Sequence, residues 1–129
     1  MSKKKELIAV VDDDQSLVEA TVTLMESVGL SAEGFFSAED FLSSPRLRCT
    51  ACLILDVRIP RMGGLELQRL LAVRNHHIPI IFITANGGED VSAKALAAGA
   101  IEFLHKPFSQ ESLLRAVRSA LAISREDLQ

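Results

Sequence analysis

The stretch Ile8 to Asp14, IAVVDDD, decides how the rest of the chain is read. Four residues suited to a buried strand run straight into three consecutive aspartates. Like charges crowded at the end of a buried element cost stability unless a cation sits among them. The question is what the rest of the chain brings to that acidic strand end.

Working outward, apolar runs alternate with amphipathic stretches. Gln15 to Val28 carries Leu17, Val18, Thr21, Leu24, Met25 and Val28 at helical spacing, and Gly29 stands where a glycine ends a helix. Ser31–Phe36 reads as a weaker second strand, and Ser37-Ala-Glu-Asp40 fits a capping box that opens a short helix through Leu42. Ala51–Leu55 is a third strand that again ends in an aspartate, Asp56. A loop with Pro60, Gly63 and Gly64 leads to a helix over Leu65–Val73. Pro79–Ile83 is a fourth strand followed by Thr84; Gly87-Gly88 interrupts the chain, and Glu89–Ala98 is an alanine-rich helix closed by Gly99. Ala100–Leu104 is a fifth strand, followed by His105-Lys106-Pro107. Ser109 caps a last helix with Leu113, Leu114, Val117 and Leu121 on one face.

Five strands alternating with five helices make an α/β chain. The strands are near-continuously apolar, which suits a parallel sheet covered on both faces. The expected architecture is a doubly wound sandwich, one domain over residues 1–129. Strand two ends in nothing polar of note and is expected at the sheet edge. A net charge of −3 leaves no electrostatic footprint for nucleic acid or an anionic membrane. Met1-Ser-Lys-Lys-Lys-Glu resembles the start of a signal peptide, but the apolar run behind it covers only Leu7–Val11. No stretch approaches the ~20 apolar residues of a membrane span. The expected location is therefore the cytoplasm. Cys49 and Cys52 form a C-x-x-C without a second ligand pair, and the spacing precedes a strand instead of opening a helix. Two reduced thiols, with Cys52 a small buried apolar residue, are expected.

In an open parallel sheet, ligands bind outside the carboxyl ends of the strands. Asp12 and Asp13 end strand one, Asp56 ends strand three, Thr84 ends strand four, and Lys106 closely follows strand five. Each alone fits a helix cap or a solvated loop residue. Together they place five polar side chains from four strands in one crevice. Three carboxylates make a hard oxygen site for Mg²⁺, and a hydroxyl and an ammonium can meet phosphoryl oxygens. Asp56 is suited to act as a nucleophile that forms an acyl phosphate. Asp14 is expected outside this set, as the N-cap of the first helix.

The segments VVDDD, LILDVRIPRMGGLEL, IIFITA and FLHKPF, in this order, resemble the receiver domains of bacterial two-component response regulators, the CheY-like family. The resemblance runs from Leu7 to about Ile123. FSAEDFL and ITANGGEDVSAKALAAGAIEFLHKPF are further similar to FixJ-like regulators. It implies a strand order of 2-1-3-4-5. It implies Asp56 as phosphoacceptor, Asp12 and Asp13 as Mg²⁺ holders with Asp13 the more direct, and the Arg58 backbone carbonyl as a further ligand. Mn²⁺ is an alternative ion. Thr84 would be the switch hydroxyl, Lys106 the phosphate-pairing ammonium, and Phe103 the switch aromatic. A phenylalanine there has no hydroxyl and reports only through packing. The Lys106–Pro107 bond would be cis. Arg58 and Asn86 would tune the kinetics, the Arg58 side chain either reaching over the phosphoryl group or pointing to solvent.

The partners implied are a histidine kinase or a phosphotransfer protein, and a second copy through the helix 4, strand 5 and helix 5 face. FixJ-like regulators carry a DNA-binding module after the receiver. The chain is then either a stand-alone receiver or one excised from a longer regulator. A signalling switch, not a turnover enzyme, is the expectation. A haloacid-dehalogenase phosphatase needs a second aspartate where Arg58 stands. A flavodoxin-like module needs a phosphate loop where Asp12-Asp13-Asp14 stands. A degenerate receiver serving only as a scaffold would lack the five-residue site.

Overall fold

The structure, a computed structural model, describes residues 6–85 and 89–127. The Gly87-Gly88 break, Asn86, the N-terminal lysines and the end of the charged tail lie outside them.

The described chain alternates β1 (Leu7–Val11), α1 (Gln15–Ser27), β2 (Ser31–Phe35), α2 (Ala38–Leu42), β3 (Thr50–Asp56), α3 (Gly64–Val73), β4 (Ile80–Thr84), α4 (Glu89–Ala97), β5 (Glu102–His105) and α5 (Gln110–Asp127). The strands pair in parallel, in the order β2-β1-β3-β4-β5. This is the doubly wound sheet expected, with β2 at one edge and β5 at the other.

Alternate strand residues feed two cores. Ile8, Val10, Cys52, Ile54, Ile81 and Ile83 pack with Val18 and Met25 of α1 and Leu113 and Val117 of α5. Ala9, Val11, Leu53, Leu55 and Phe82 pack with Phe41 of α2, Leu67 and Leu71 of α3 and Ala95 of α4. The period-2 alternation of a strand thus divides one apolar run between two layers of helices.

Local chemistry ends the helices as expected. Asp14 caps α1 by accepting the Leu17 N–H at 3.2 Å, Ser37 caps α2 through the Asp40 N–H at 3.0 Å, and the Ser109 hydroxyl takes the Ser112 N–H at 3.0 Å. Gly29 and Gly99 close α1 and α4 at φ of 83° and 103°, a region where a side chain is strained.

Several elements differ from the sequence expectation. β5 begins at Glu102 instead of Ala100, because the α4 terminus uses the intervening residues: Gly99 N–H bonds the Leu96 carbonyl and Ala100 N–H the Ala95 carbonyl. β3 runs through Asp56, and a 3-10 turn at Leu47–Cys49 precedes it. The β1–β3 register shifts between Leu7, opposite Thr50, and Ile8, opposite Cys52. There the Ala51 carbonyl accepts the hydroxyl of Ser124 from α5. Cys49 and Cys52 are free thiols, and burial pushes the Cys52 pKa up to about 12, so it is inert at neutral pH.

The return from β3 to α3 is tight. Gly64 N–H bonds the Val57 carbonyl at 2.9 Å, and a Cβ added to Gly64 would lie 2.5 Å from the Asp56 carbonyl oxygen. Gly64→Ala is expected to destabilise the chain by about 1–3 kcal/mol in urea unfolding, because backbone must move to admit the methyl group.

Candidate functional site

The sheet register sets the site. Val11 pairs with Leu55, Asp56 with Ile83, and Thr84 with His105, so the four inner and edge strands end at nearly one level. Asp12 and Lys106 are the next residues after β1 and β5. The crevice therefore receives Asp12, Asp56, Thr84 and Lys106 from four strands, with Asp13 beside them.

Lys106 joins the acidic groups. Its Nζ donates to Asp12 Oδ2 at 3.0 Å and to Asp56 Oδ2 at 2.8 Å. The other oxygen of each carboxylate accepts a backbone N–H two residues on: Asp14 N–H to Asp12 Oδ1 at 3.0 Å, and Arg58 N–H to Asp56 Oδ1 at 2.9 Å. The two aspartates thus have the same local turn, each aimed at one ammonium.

Burial grades across the site. Asp12 is 0% exposed and Asp56 6%, while Asp13 is exposed to solvent. Thr84, at 1%, lies at the end of β4 on the same level. Burial pushes the Asp12 pKa up to about 6; the Asp14 N–H and Lys106 hydrogen bonds oppose the rise, and the Asp56 charge adds to it. For Lys106, burial disfavours the charge, but hydrogen bonds to Asp56 and Asp12 overcome it and hold its pKa above the ordinary lysine value. The ammonium is therefore a permanent cation at neutral pH.

Among the described residues, Asp12, Asp13 and Asp56 each offer a carboxylate oxygen, and these atoms lie within 4.8 Å of one another. Oxygens sharing one Mg²⁺ at about 2.0–2.1 Å lie roughly 3–4 Å apart, so small side-chain adjustments bring this set into range. The donor set is all oxygen, and its solvent-facing side through Asp13 suits an ion that keeps several waters. The residues fit the ion.

Phe103 lies on β5, half-buried, with its ring centroid 6.1 Å from Phe82 and 5.4 Å from His105. The Arg58 side chain is exposed while its backbone N–H holds Asp56. The Lys106–Pro107 bond is cis. The backbone N–H of Asp14, which holds Asp12, was not singled out from the sequence, nor was His105. The i to i+2 turn of an aspartate at a strand end is the signal for the first, and the two-residue spacing from Phe103 for the second.

The raised Asp12 pKa fixes a sign. Folding favours the protonated form, so this contribution to stability is present below 3.8, the ordinary value, and is lost as pH climbs through about 6. With metal absent, the stability of Asp12→Asn relative to the parent is expected to rise by about 2 kcal/mol between roughly pH 4 and 7. Denaturant titration with a chelator present measures it.

The response regulator receiver domain family model matches residues 8–118. The response regulator protein TodT of Pseudomonas putida is 45% identical over 124 residues, covering 96% of this chain and 55% of TodT. The structure of response regulator StyR superposes with a TM-score of 0.87 at 42% identity, over 97% of this chain and 63% of that one. The FixJ-N structure gives a TM-score of 0.82 at 31% identity, over 95% of this chain and 96% of that one. The chain spans about half the length of the curated relatives it matches. With the fold and the sheet order in agreement with these matches, the chain belongs to the response regulator receiver family.

Proposed function

We propose that this chain is a single receiver domain that takes a phosphoryl group from a phosphohistidine onto Asp56 and changes its partner-binding surface in response. The observation that carries the reading is the Lys106 bridge: one ammonium holds the Asp12 and Asp56 carboxylates, with Asp13 close enough to share a cation. Phosphoryl transfer needs mainly positioning and charge neutralisation, and these groups supply both.

The donor is a histidine kinase or a phosphotransfer protein. An Asp56 carboxylate oxygen bonds to phosphorus as the phosphorus–nitrogen bond to the donor imidazole breaks, and the electron pair stays with that nitrogen. The Arg58 N–H orients Asp56 through its other oxygen. Asp12, Asp13, Asp56 and the Arg58 carbonyl would hold Mg²⁺, or Mn²⁺ in its place. When bound, the ion supplies positive charge to the phosphoryl oxygens. Lys106 then pairs with a phosphoryl oxygen, the Thr84 hydroxyl meets another, and Phe103 follows into the space Thr84 leaves. That displacement biases an equilibrium between two surface arrangements.

The surface affected is formed by α4, β5 and α5, where a second copy would bind. Within a longer regulator the same surface would control a DNA-binding output module. A histidine-kinase partner places the chain in the cytoplasm. Among the described residues no helix is long and apolar enough to cross a membrane.

Asp56→Asn is expected to abolish labelling by a small phosphodonor with Mg²⁺; labelling equal to the parent removes Asp56 as the acceptor. Mg²⁺ is expected to raise the melting temperature linearly with the logarithm of its concentration, by roughly 5 °C per tenfold above its dissociation constant. Asp13→Asn, which weakens metal binding, is expected to move the onset of that rise to higher Mg²⁺ concentration. The chain has no Trp and no Tyr, so calorimetry is the suitable readout.

A further inference from the structure

We infer that His105 is a positioning residue for the switch: its imidazole braces the Phe103 ring and so sets how readily the chain leaves the arrangement seen here. The inference rests on the switch reading above and concerns how that switch is held.

β5 is an edge strand, with Glu102 and His105 exposed and Phe103 and Leu104 half-buried between them. Phe103 and His105 are two residues apart, so their side chains share one face of the strand. Their ring centroids are 5.4 Å apart with planes at 57°. Such tilted contacts between rings are favourable beyond the area they cover. On its inner side Phe103 meets Phe82, its register partner, at 6.1 Å and 32°. Phe82 is fully buried in the core against α2, α3 and α4. Phe103 thus lies between an inner ring that packing holds still and an outer ring at the surface. Of the two, the outer ring is the one that can yield.

His105 also lies next to the other proposed switch residues. Its register partner on β4 is Thr84, the proposed switch hydroxyl, just as Phe82 is the partner of Phe103. Thr84 and Phe82 are themselves two apart, so these four residues occupy one face of the β4–β5 pair. The next residue in the chain is Lys106, whose N–H donates to the Thr84 carbonyl at 2.8 Å. A shift of Thr84 or Lys106 toward a phosphoryl oxygen is therefore felt at His105, and through its ring at Phe103. Since Phe103 has no hydroxyl to hold it by a hydrogen bond, the ring contact takes that role.

Removing an aromatic contact of this kind changes a two-state ratio by roughly two- to tenfold. A ligand that binds only the switched arrangement then binds tighter by the same factor. The test uses the full chain, Mg²⁺ and beryllofluoride as the phosphate mimic. Bound beryllofluoride is read by fluorine NMR, and the Phe103–His105 contact by ring-proton cross-peaks. In the parent, beryllofluoride is expected to bind and to weaken those cross-peaks. His105→Ala and His105→Asn, which both lack the second ring, are expected to bind it two- to tenfold tighter. Both are also expected to shift Phe103 resonances toward their switched positions before the mimic is added. His105→Phe restores a ring and is expected to return both readouts to parent values, which a merely structural role for the imidazole would not require. Parent-like affinity and Phe103 resonances in the two ringless variants overturn the inference. So does a Phe103–His105 contact that persists in the parent with beryllofluoride bound, and that result leaves Asp56 as acceptor intact. Failure of the mimic to bind the parent overturns the acceptor reading and this inference with it.

Discussion

The Lys106 ammonium, shared by Asp12 and Asp56, is the contact on which the site depends. Two carboxylates this deeply buried carry a desolvation cost that is met only by a close, well-directed cation. Removing one partner of such a buried pair costs about 3–5 kcal/mol, since the other charge stays behind without compensation. The lysine arrives from the strand at one edge of the sheet, and the aspartates from two central strands. The charge contact therefore ties strand ends that are far apart in sequence, and it forms only in a sheet assembled in this order.

The same constraint fixes the orientation of the two carboxylates. Each carboxylate has one oxygen fixed by a backbone N–H and the other turned to the ammonium. In the proposed transfer Lys106 turns to a phosphoryl oxygen, so the Arg58 N–H is the contact that keeps Asp56 oriented. The cost falls on Asp12, whose burial, with the Asp56 charge adding to it, raises its pKa against the pull of Lys106 and the Asp14 N–H. Local rules of stability are relaxed here, as expected of a functional site.

Much of this was readable in the amino-acid order. Once the strands were taken as parallel, Asp12, Asp56, Thr84 and Lys106 had to converge, because parallel strands end on one side of the sheet. The helix caps at Asp14, Ser37 and Ser109 were equally plain, since a cap is a local hydrogen bond. What escaped was set by neighbours distant in sequence or by backbone geometry. Ala100 looked like strand, yet the α4 terminus claims its N–H. The irregularity at Ala51 needs α5 to exist before it has a reason. Arg61 and Asn75 adopt positive φ of 66° and 62° although neither is glycine, and no composition rule marks the arginine. The contact between Phe103 and His105 needs only strand spacing, but its place beside Thr84 appears only with the β4–β5 register.

The hydroxyl of Ser124 on the Ala51 carbonyl has a mechanical consequence. It pins α5 near its carboxyl end to the middle strand of the sheet, whereas the helix's opposite end follows directly from β5 and the cis Lys106–Pro107 bond. The fifteen residues from Gln110 to Ser124 make a rod of roughly 21 Å. A rod held there can pivot: a tilt of about 5° would move its amino-terminal end by roughly 2 Å. Leu113 and Val117 lie toward that end and are buried in the core, so a displacement at the edge of the sheet reaches the outside of α5 only by repacking the side chains beneath it.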